Sequence, residues 1–280
     1  MARAANNSKL ETRNSKLIVS RDNSLLRRAR AVRDGKTNDL IFVEGLRLCE
    51  EALASKLKIE AVIFSDQLAQ KDRAAKLIDQ ISATANSSAS VSEKLLESIS
   101  YTKTPQGIVA LAARPFGDLE SFAQRQPAKP LIVLLHETNN PVNVGAILRT
   151  AEAAGASGVI ATARTADPFS PKALRGAMGS AFRLPVWTSA TFAQAIEWCR
   201  ARGIQIIGAD VSGSDVFSNV DWQRPTAIVV GRESAGLCAE ELAVADRTVR
   251  IPMKGAAESL NVAVATGIIL YEAARQRAQN

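Results

Sequence analysis

The strongest constraint on this chain is an alternation of short, almost wholly apolar runs with longer stretches whose apolar residues recur at helical spacing. Runs such as LIVLL at 131–135, GVIAT at 158–162 and TAIVVG at 226–231 lack polar residues at alternate positions, so as strands they must be covered on both faces. Further strand-like runs fall at 185–187, 205–209 and 248–251, and helical patterns at 144–154, 172–181, 192–201 and 262–277. Alternating strands and helices of this kind predict an α/β fold with a parallel sheet. Such sheets bind ligands beyond the carboxyl ends of their strands, so the loops there are where chemistry belongs.

A second, smaller block precedes this one. Asp22 is placed as the N-cap of a first helix carrying Leu25, Leu26, Ala29 and Val32 on one stripe, ended by Gly35. Strand-like runs at 40–43, 61–64 and 107–112 and helices at 46–55 and 69–81 predict a small αβ domain. Four parts follow: a basic, disordered tail at 1–15, an αβ domain at 16–113, a Pro- and Gly-punctuated linker at 114–129, and the parallel α/β domain at 130–280.

Charge is unevenly placed. Residues 1–36 hold ten Lys or Arg against Glu11, Asp22 and Asp34, and the remainder of the chain is balanced at 25 basic and 25 acidic residues. The net charge of +7 is thus confined to one end, a footprint for a polyanion. Seven of the ten are arginines, whose planar fork suits phosphate, and this predicts RNA contacts through Arg27, Arg28, Arg30 and Arg33. A solvated helix face is the competing reading.

The three cysteines, Cys49, Cys199 and Cys238, lack metal-ligand spacing and read as buried reduced thiols. The only histidine is His136, which excludes a histidine-rich metal site and leaves a Ser-His-Asp triad only one possible centre. No apolar run reaches the length of a membrane span and no signal-peptide core follows the basic N-terminus, so a cytoplasmic protein without membrane or metal partners is expected.

Three loops after predicted strands carry most of the remaining information. In the first, 138–149, amides and a proline build a turn, Asn143 is placed to cap the next helix, and Arg149 lies nearly two turns inside it. The second, 230–237, offers glycines that permit close approach of backbone to a ligand, with Glu233 beside them. The third, 251–262, brings Ser259 and Asn261 to the mouth of the final helix. Taken singly, each reads equally as a capped helix entry or a Gly-rich turn. No G-x-G-x-x-G follows the first strand of either block, which argues against a nicotinamide-dependent oxidoreductase.

Taken in order, NNPVNVGAILRTAEAAG, IVVGRESAGL and IPMKGAAESLNVAVATG resemble the signature motifs of the SpoU class (TrmH-like) of SPOUT RNA ribose 2'-O-methyltransferases. In the first block, SRDNSLLRRARAVRDGK, FVEGLRLCEEAL and TPQGIVALA resemble the substrate-binding domain of the ribosomal RNA members, which is of ribosomal-protein type. Ser234 stands where a glycine is common in the family, which bears on the shape of that loop.

The resemblance implies a trefoil knot in the C-terminal domain, a homodimer whose sites draw on both subunits, and S-adenosyl-L-methionine held largely by backbone groups. By motif position, Gly231, Ile251 and Leu260 are the implied cofactor contacts, with Gly208, Ala209 and Met253 as additions. Arg149 matches the catalytic arginine, either as base or as a clamp on the nucleotide's phosphate. A guanidinium is a poor base at neutral pH unless its surroundings favour the neutral form, so positioning is the preferred role. Asn143 is expected to orient Arg149 or the ribose, Glu233 to hold the site together, and Ser259 and Asn261 to shape the substrate pocket. The expected reaction is 2'-O-methylation of 23S ribosomal RNA, with transfer RNA, or RNA binding without catalysis, as the alternatives.

Overall fold

The computed structural model describes residues 15–279, and the expectation of a disordered tail falls on residues outside that range, except for Ser15. The chain divides after Ala113 into two compact units.

The first unit runs β1 (Ser15–Ile18), α1 (Ser24–Arg33), β2 (Leu40–Glu44), α2 (Leu46–Ala54), β3 (Ile59–Ser65), α3 (Asp72–Thr84), β4 (Ser87–Val91), α4 (Glu93–Ile99) and β5 (Ile108–Ala113). Its mixed sheet has the order β1-β4-β3-β5-β2, with β5 antiparallel to both β3 and β2. The predicted apolar stripe of α1 buries Leu26, Ala29 and Val32 against Phe42, Ile63 and Leu96. Its cap differs from the expectation: Asn23, not Asp22, accepts the Leu25 N–H at 2.9 Å, while the Asp22 amide is bonded back to Ser20 Oγ. Strand β4, SSASV, has no apolar run, which is why periodicity overlooks it; it is a strand because β1 and β3 flank it.

The second unit opens with α5 (Leu119–Ala123) inside the stretch expected as linker. Phe122 there is 1% exposed and packs edge-on against Trp198 and tilted against Trp187, with ring centroids 5.4 and 6.2 Å away. These residues therefore belong to the core of the second unit. Then follow β6 (Leu131–Leu135), α6 (Pro141–Ala153), β7 (Gly158–Thr162), α7 (Pro171–Ala177), α8 (Ser180–Arg183), β8 (Val186–Ala190), α9 (Phe192–Arg200), β9 (Gln205–Ala209), β10 (Asp215–Val216), β11 (Thr226–Val230), α10 (Ala239–Ala243), β12 (Arg247–Arg250) and α11 (Val262–Arg277). The helix predicted at 172–181 is broken, because Met178 (φ 50°) and Gly179 (φ 94°) turn left-handed between α7 and α8.

The seven strands are all parallel, in the order β10-β12-β9-β11-β6-β7-β8. The chain moves outward from β6 to β8, then returns to build β9, β11 and β12 on the other side of β6. Four adjacent strands, β12, β9, β11 and β6, thus deliver their carboxyl-end loops to one rim. At the opposite rim Arg277 donates to the carbonyls of Trp222, Arg224, Lys129 and Pro130, anchoring the end of α11. Burial pushes this guanidinium's pKa down.

The cysteine expectation holds for two of three. Cys49 and Cys199 are buried, and loss of water around each thiol pushes its pKa up to about 12. Cys238 is exposed as the N-cap of α10, a helix that buries none of its residues.

The aromatic cluster yields a direct test. Phe122→Ala should destabilise the second unit by about 3–5 kcal/mol, the usual cost of emptying a buried aromatic site. All three tryptophans lie in this unit, so denaturant unfolding followed by tryptophan fluorescence reads it alone. An unchanged midpoint would mean that residues 114–129 are a free connector after all.

Candidate functional site

Beyond β6, the backbone leaves the sheet through His136 and Glu137 and enters α6 through an Asn-Pro turn. Asn140, not Asn143, is the N-cap, accepting the Val142 N–H at 3.0 Å, with Pro141 supplying the fixed φ of a first helical residue. Asn143 is thereby free to bond elsewhere. It is 7% exposed, donates from Nδ2 to Glu233 Oε1 at 3.3 Å, and accepts at Oδ1 from Asn261 Nδ2 at 3.1 Å.

Asn261 uses its other carboxamide atom as the N-cap of α11, accepting from the Ala263 and Val264 amides at 2.9 and 3.4 Å. Glu233 also accepts the amides of Asn139 and Asn140 at 3.2 and 3.0 Å. One carboxylate and two carboxamides therefore stitch together the loops that follow β6, β11 and β12. Loss of water acts most strongly on Glu233 and raises its pKa, yet the hydrogen bonds it accepts outweigh that and leave it below the usual carboxylate range.

The loop at 231–236 is folded back on itself, with Arg232 N donating to Gly236 O at 3.2 Å and Gly236 N to Arg232 O at 2.9 Å. Position 231 must be glycine, since a Cβ there would lie 2.4 Å from the Gly236 carbonyl oxygen. A similar approach occurs after β9, where a Cβ at Gly213 would lie 2.4 Å from the Val249 carbonyl carbon.

Between these loops lies a cavity of about 300 Å³, walled by Ala209 to Val211, 230–236, Val249, Ile251, Met253, Ser259, Leu260 and the inner side of α11. Of the residues expected at a site, Gly231, Ile251, Leu260, Ala209, Met253, Ser259 and Glu233 line it. Asn143 and Asn261 stand behind it, holding its wall. Gly208 lies off the cavity and faces α10, where a Cβ would touch Leu242 and Ala245. Arg149 also stands outside the lining; it is exposed and makes no hydrogen bond or ion pair among the described residues.

Residues not singled out from the sequence complete the arrangement. Asp210 brings a carboxylate to the cavity, held by the amide and hydroxyl of Ser212 at 2.8 and 2.6 Å. Behind the loop, Arg232 reaches Glu137 and Glu241, and His136 is no triad member: its Nε2 lies 2.7 Å from Glu241 Oε1 and its Nδ1 3.3 Å from Thr162 Oγ1. The only advance signal was a run of charges beside strand ends. No group of three or more His, Cys, Asp or Glu among the described residues is placed to hold a metal ion.

In the first unit, the four arginines differ. Arg27 is exposed and free of partners among the described residues, while Arg28 pairs with Glu60 and Asp39 at 2.5 and 3.6 Å. Arg30 donates to the Arg21 carbonyl at 2.8 Å. Arg33 binds Asp34 at 2.8 Å and the carbonyls of Ser98 and Ser100 at 3.4 and 3.3 Å, so these last two guanidiniums serve the fold.

A parallel α/β sheet whose carboxyl-end loops interlock around a cavity defines a class of ligand-binding α/β domain, and comparison narrows it. The profile of the SpoU rRNA methylase family matches residues 130–271, and that of the MRM3-like substrate binding domain matches 25–110. The chain is 33% identical over 264 residues to an uncharacterized tRNA/rRNA methyltransferase of Synechocystis, covering 93% of this chain and 94% of that one. It is 31% identical to the 23S rRNA (guanosine(2553)-2'-O)-methyltransferase RlmP of Bacillus subtilis, covering 84% and 88%. Among solved structures it resembles the SpoU methyltransferase AviRb of Streptomyces viridochromogenes in complex with AdoMet, with a TM-score of 0.82, 29% identity and coverage of 92% and 99%. The protein belongs to the SpoU rRNA methylase family.

The carboxylates at the rim predict its acid behaviour. Arg232, first, and then Cys238 N–H and His136 hold Glu241 down to about 2 against the opposing effect of burial. For Glu137 burial is the largest influence and raises its pKa, but hydrogen bonds from Arg232 and Arg164 prevail and lower it. Folded-state values below the unfolded one contribute stability that is complete above pH ~4.5 and is lost as pH falls through that value towards ~2. Tryptophan-monitored stability should therefore decline below pH ~4.5, and Glu241→Gln should flatten that limb; an identical limb in the variant would remove Glu241 from the account.

Proposed function

We propose that this protein uses S-adenosyl-L-methionine to methylate a ribose 2'-hydroxyl of ribosomal RNA. The observation that carries the reading is the cavity itself, lined by the loops after β9, β11 and β12 and braced by the Glu233, Asn143 and Asn261 network that joins the three loops holding the family's motifs. Its walls suit the cofactor. Ile251, Leu260, Val262 and Ile269 offer an apolar surface for a flat base, and the turned-in backbone at 230–236 offers peptide groups. Asp210 adds a negative charge complementary to a sulfonium and an ammonium. The 2'-O position is supported by the activity in the name of RlmP, and the cofactor by the AdoMet bound to AviRb.

When bound, the cofactor supplies a methyl group on a positively charged sulfur. The protein's residues must align the hydroxyl with that methyl and arrange a destination for its proton. Ser259, lining the cavity beside Leu260, shapes the place where a ribose enters. Arg149 clamps the nucleotide's phosphate through its planar fork, and the phosphate or water takes the proton. Because Arg149 stands outside the cavity lining of its own chain, a second copy supplies it, which makes the working unit a homodimer. Exposed apolar side chains support such an assembly: Val264 and Tyr271, two turns apart on α11, and Val142 at the start of α6. The implied knot is part of the same proposal, supported by the backbone-on-backbone contacts at Gly213 and Gly231.

Arg149→Ala should abolish methyl transfer while leaving calorimetric binding of S-adenosyl-L-methionine nearly intact, and RNA carrying 2'-deoxyribose at the target should bind without accepting methyl. Full activity of the alanine variant, or methyl found on a base, would overturn the mechanism. Wild-type protein that binds no cofactor would instead favour an RNA-binding protein without catalysis.

RNA contact is assigned to Arg27 first, with Arg28 beside it. Arg27→Gln should weaken RNA binding and flatten its logarithmic salt dependence by about 0.7–0.9 for each phosphate no longer neutralised. Arg33→Gln should act on the stability of the first unit instead. Equal RNA affinity of wild type and Arg27→Gln at every salt concentration would make α1 a solvated face.

A further inference from the structure

Directly behind the cavity lies a charged cluster, centred on the Arg232 side chain, that the proposed mechanism does not employ. Arg232 donates from Nε to Glu137 Oε2 at 2.8 Å, from Nη1 to Glu241 Oε2 at 3.0 Å and to Gly236 O at 3.3 Å, and from Nη2 to Glu241 Oε1 at 2.8 Å. Glu137 is paired in addition with Arg164. The side chains of His136, Glu241 and Glu137 are only 7%, 12% and 14% exposed.

His136 completes the arrangement. Its Nε2 faces a carboxylate at 2.7 Å, so the ring donates there, and its Nδ1 accepts from Thr162 Oγ1, which itself accepts the Glu137 N–H at 3.1 Å. Glu241 also accepts the Cys238 amide at 2.8 Å and so joins the start of α10 to the same cluster.

We infer that Arg232 is a positioning residue that holds the loop at 231–236 in the shape the cofactor requires. The inference rests on the proposed cofactor reading and deepens it. The physical reason is that residues 233–235 are exposed and bury no side chain that would hold them, so the loop depends on polar contacts for its shape. Those contacts come from both sides. Glu233 points forward and grips Asn139, Asn140 and Asn143, while Arg232 points backward and grips Glu137 and Glu241.

Arg232 also touches the turn it closes, since its Nη1 and its backbone amide both donate to Gly236 O. A guanidinium can serve this many acceptors in one plane, whereas an ammonium has no fork to place between two carboxylates. Releasing one side of the loop would let the peptide groups at 230–236 move out of register with a bound cofactor.

The test separates positioning from simple stabilisation. Calorimetric binding of S-adenosyl-L-methionine should weaken by about tenfold or more in Arg232→Gln, because displacements of about an ångström suffice for such losses. Turnover at saturating cofactor should recover substantially, so that the defect appears in the cofactor KM rather than in kcat. Arg232→Lys should restore little, and Glu241→Gln should reproduce the defect.

Arg183→Gln is the control. It removes a comparable fork, Arg183 to Glu152 at 2.6 and 3.0 Å on α6, far from the loop in sequence. It should lower the unfolding midpoint while leaving cofactor affinity unchanged. Wild-type affinity in Arg232→Gln, or an equal loss of affinity in Arg183→Gln, would overturn the positioning role. Wild-type protein that fails to bind the cofactor would overturn the cofactor reading and this inference together.

Discussion

The carboxylate of Glu233 is the interaction on which the site depends, because it holds two backbone amides and one carboxamide from a segment 90 to 94 residues earlier in the chain. Each of those donors would otherwise be left at a helix entrance with only water for a partner. By accepting all three, Glu233 fixes the entry of α6 against the loop after β11. Asn143 then passes the constraint to Asn261, which caps α11. A charge-assisted hydrogen bond is roughly twice as strong as a neutral one, so the network is anchored at its charged member.

This network forms only because the sheet brings its members to one rim. Parallel strands in the order β12-β9-β11-β6 present four carboxyl ends side by side, so loops distant in sequence become neighbours in space. The same order leaves little room between them, and the glycines at 213 and 231 are the points where backbone meets backbone. At the other rim Arg277 ties the end of α11 to four carbonyls, which sets the helix axis along which Asn261 is delivered.

The two faces of the loop at 231–236 show how neighbouring residues divide labour. Glu233 addresses the entry of α6 and Arg232 addresses the strand end at Glu137 and the start of α10. In the first unit the arginines divide in a comparable way. Arg27 remains available to solvent, whereas Arg33 lies across the carbonyls at the end of α4. Net charge by itself carries no information about this division, since it counts a guanidinium the same whether it faces water or a carbonyl.

Read alone, the sequence determined the parallel α/β domain, because runs such as LIVLL and TAIVV are short, rich in β-branched residues and alternate with helical patterns, as strands buried on both faces do. Two of its three motif strings also located loops that line the cavity, and the first located the turn that braces them. It could not reveal β4, whose SSASV forms no apolar run and which exists through its neighbours, nor the docking of Phe122 between two tryptophans, because a Pro-rich flank obscures a five-residue helix. Nor could it place Asn143 beside Glu233 rather than at a helix cap, or set Arg232 between two carboxylates. Local patterning reports the preferences of a segment a few residues long, whereas these contacts join residues as many as 118 apart. Only the strand order, fixed by packing of the whole domain, decides which of them meet.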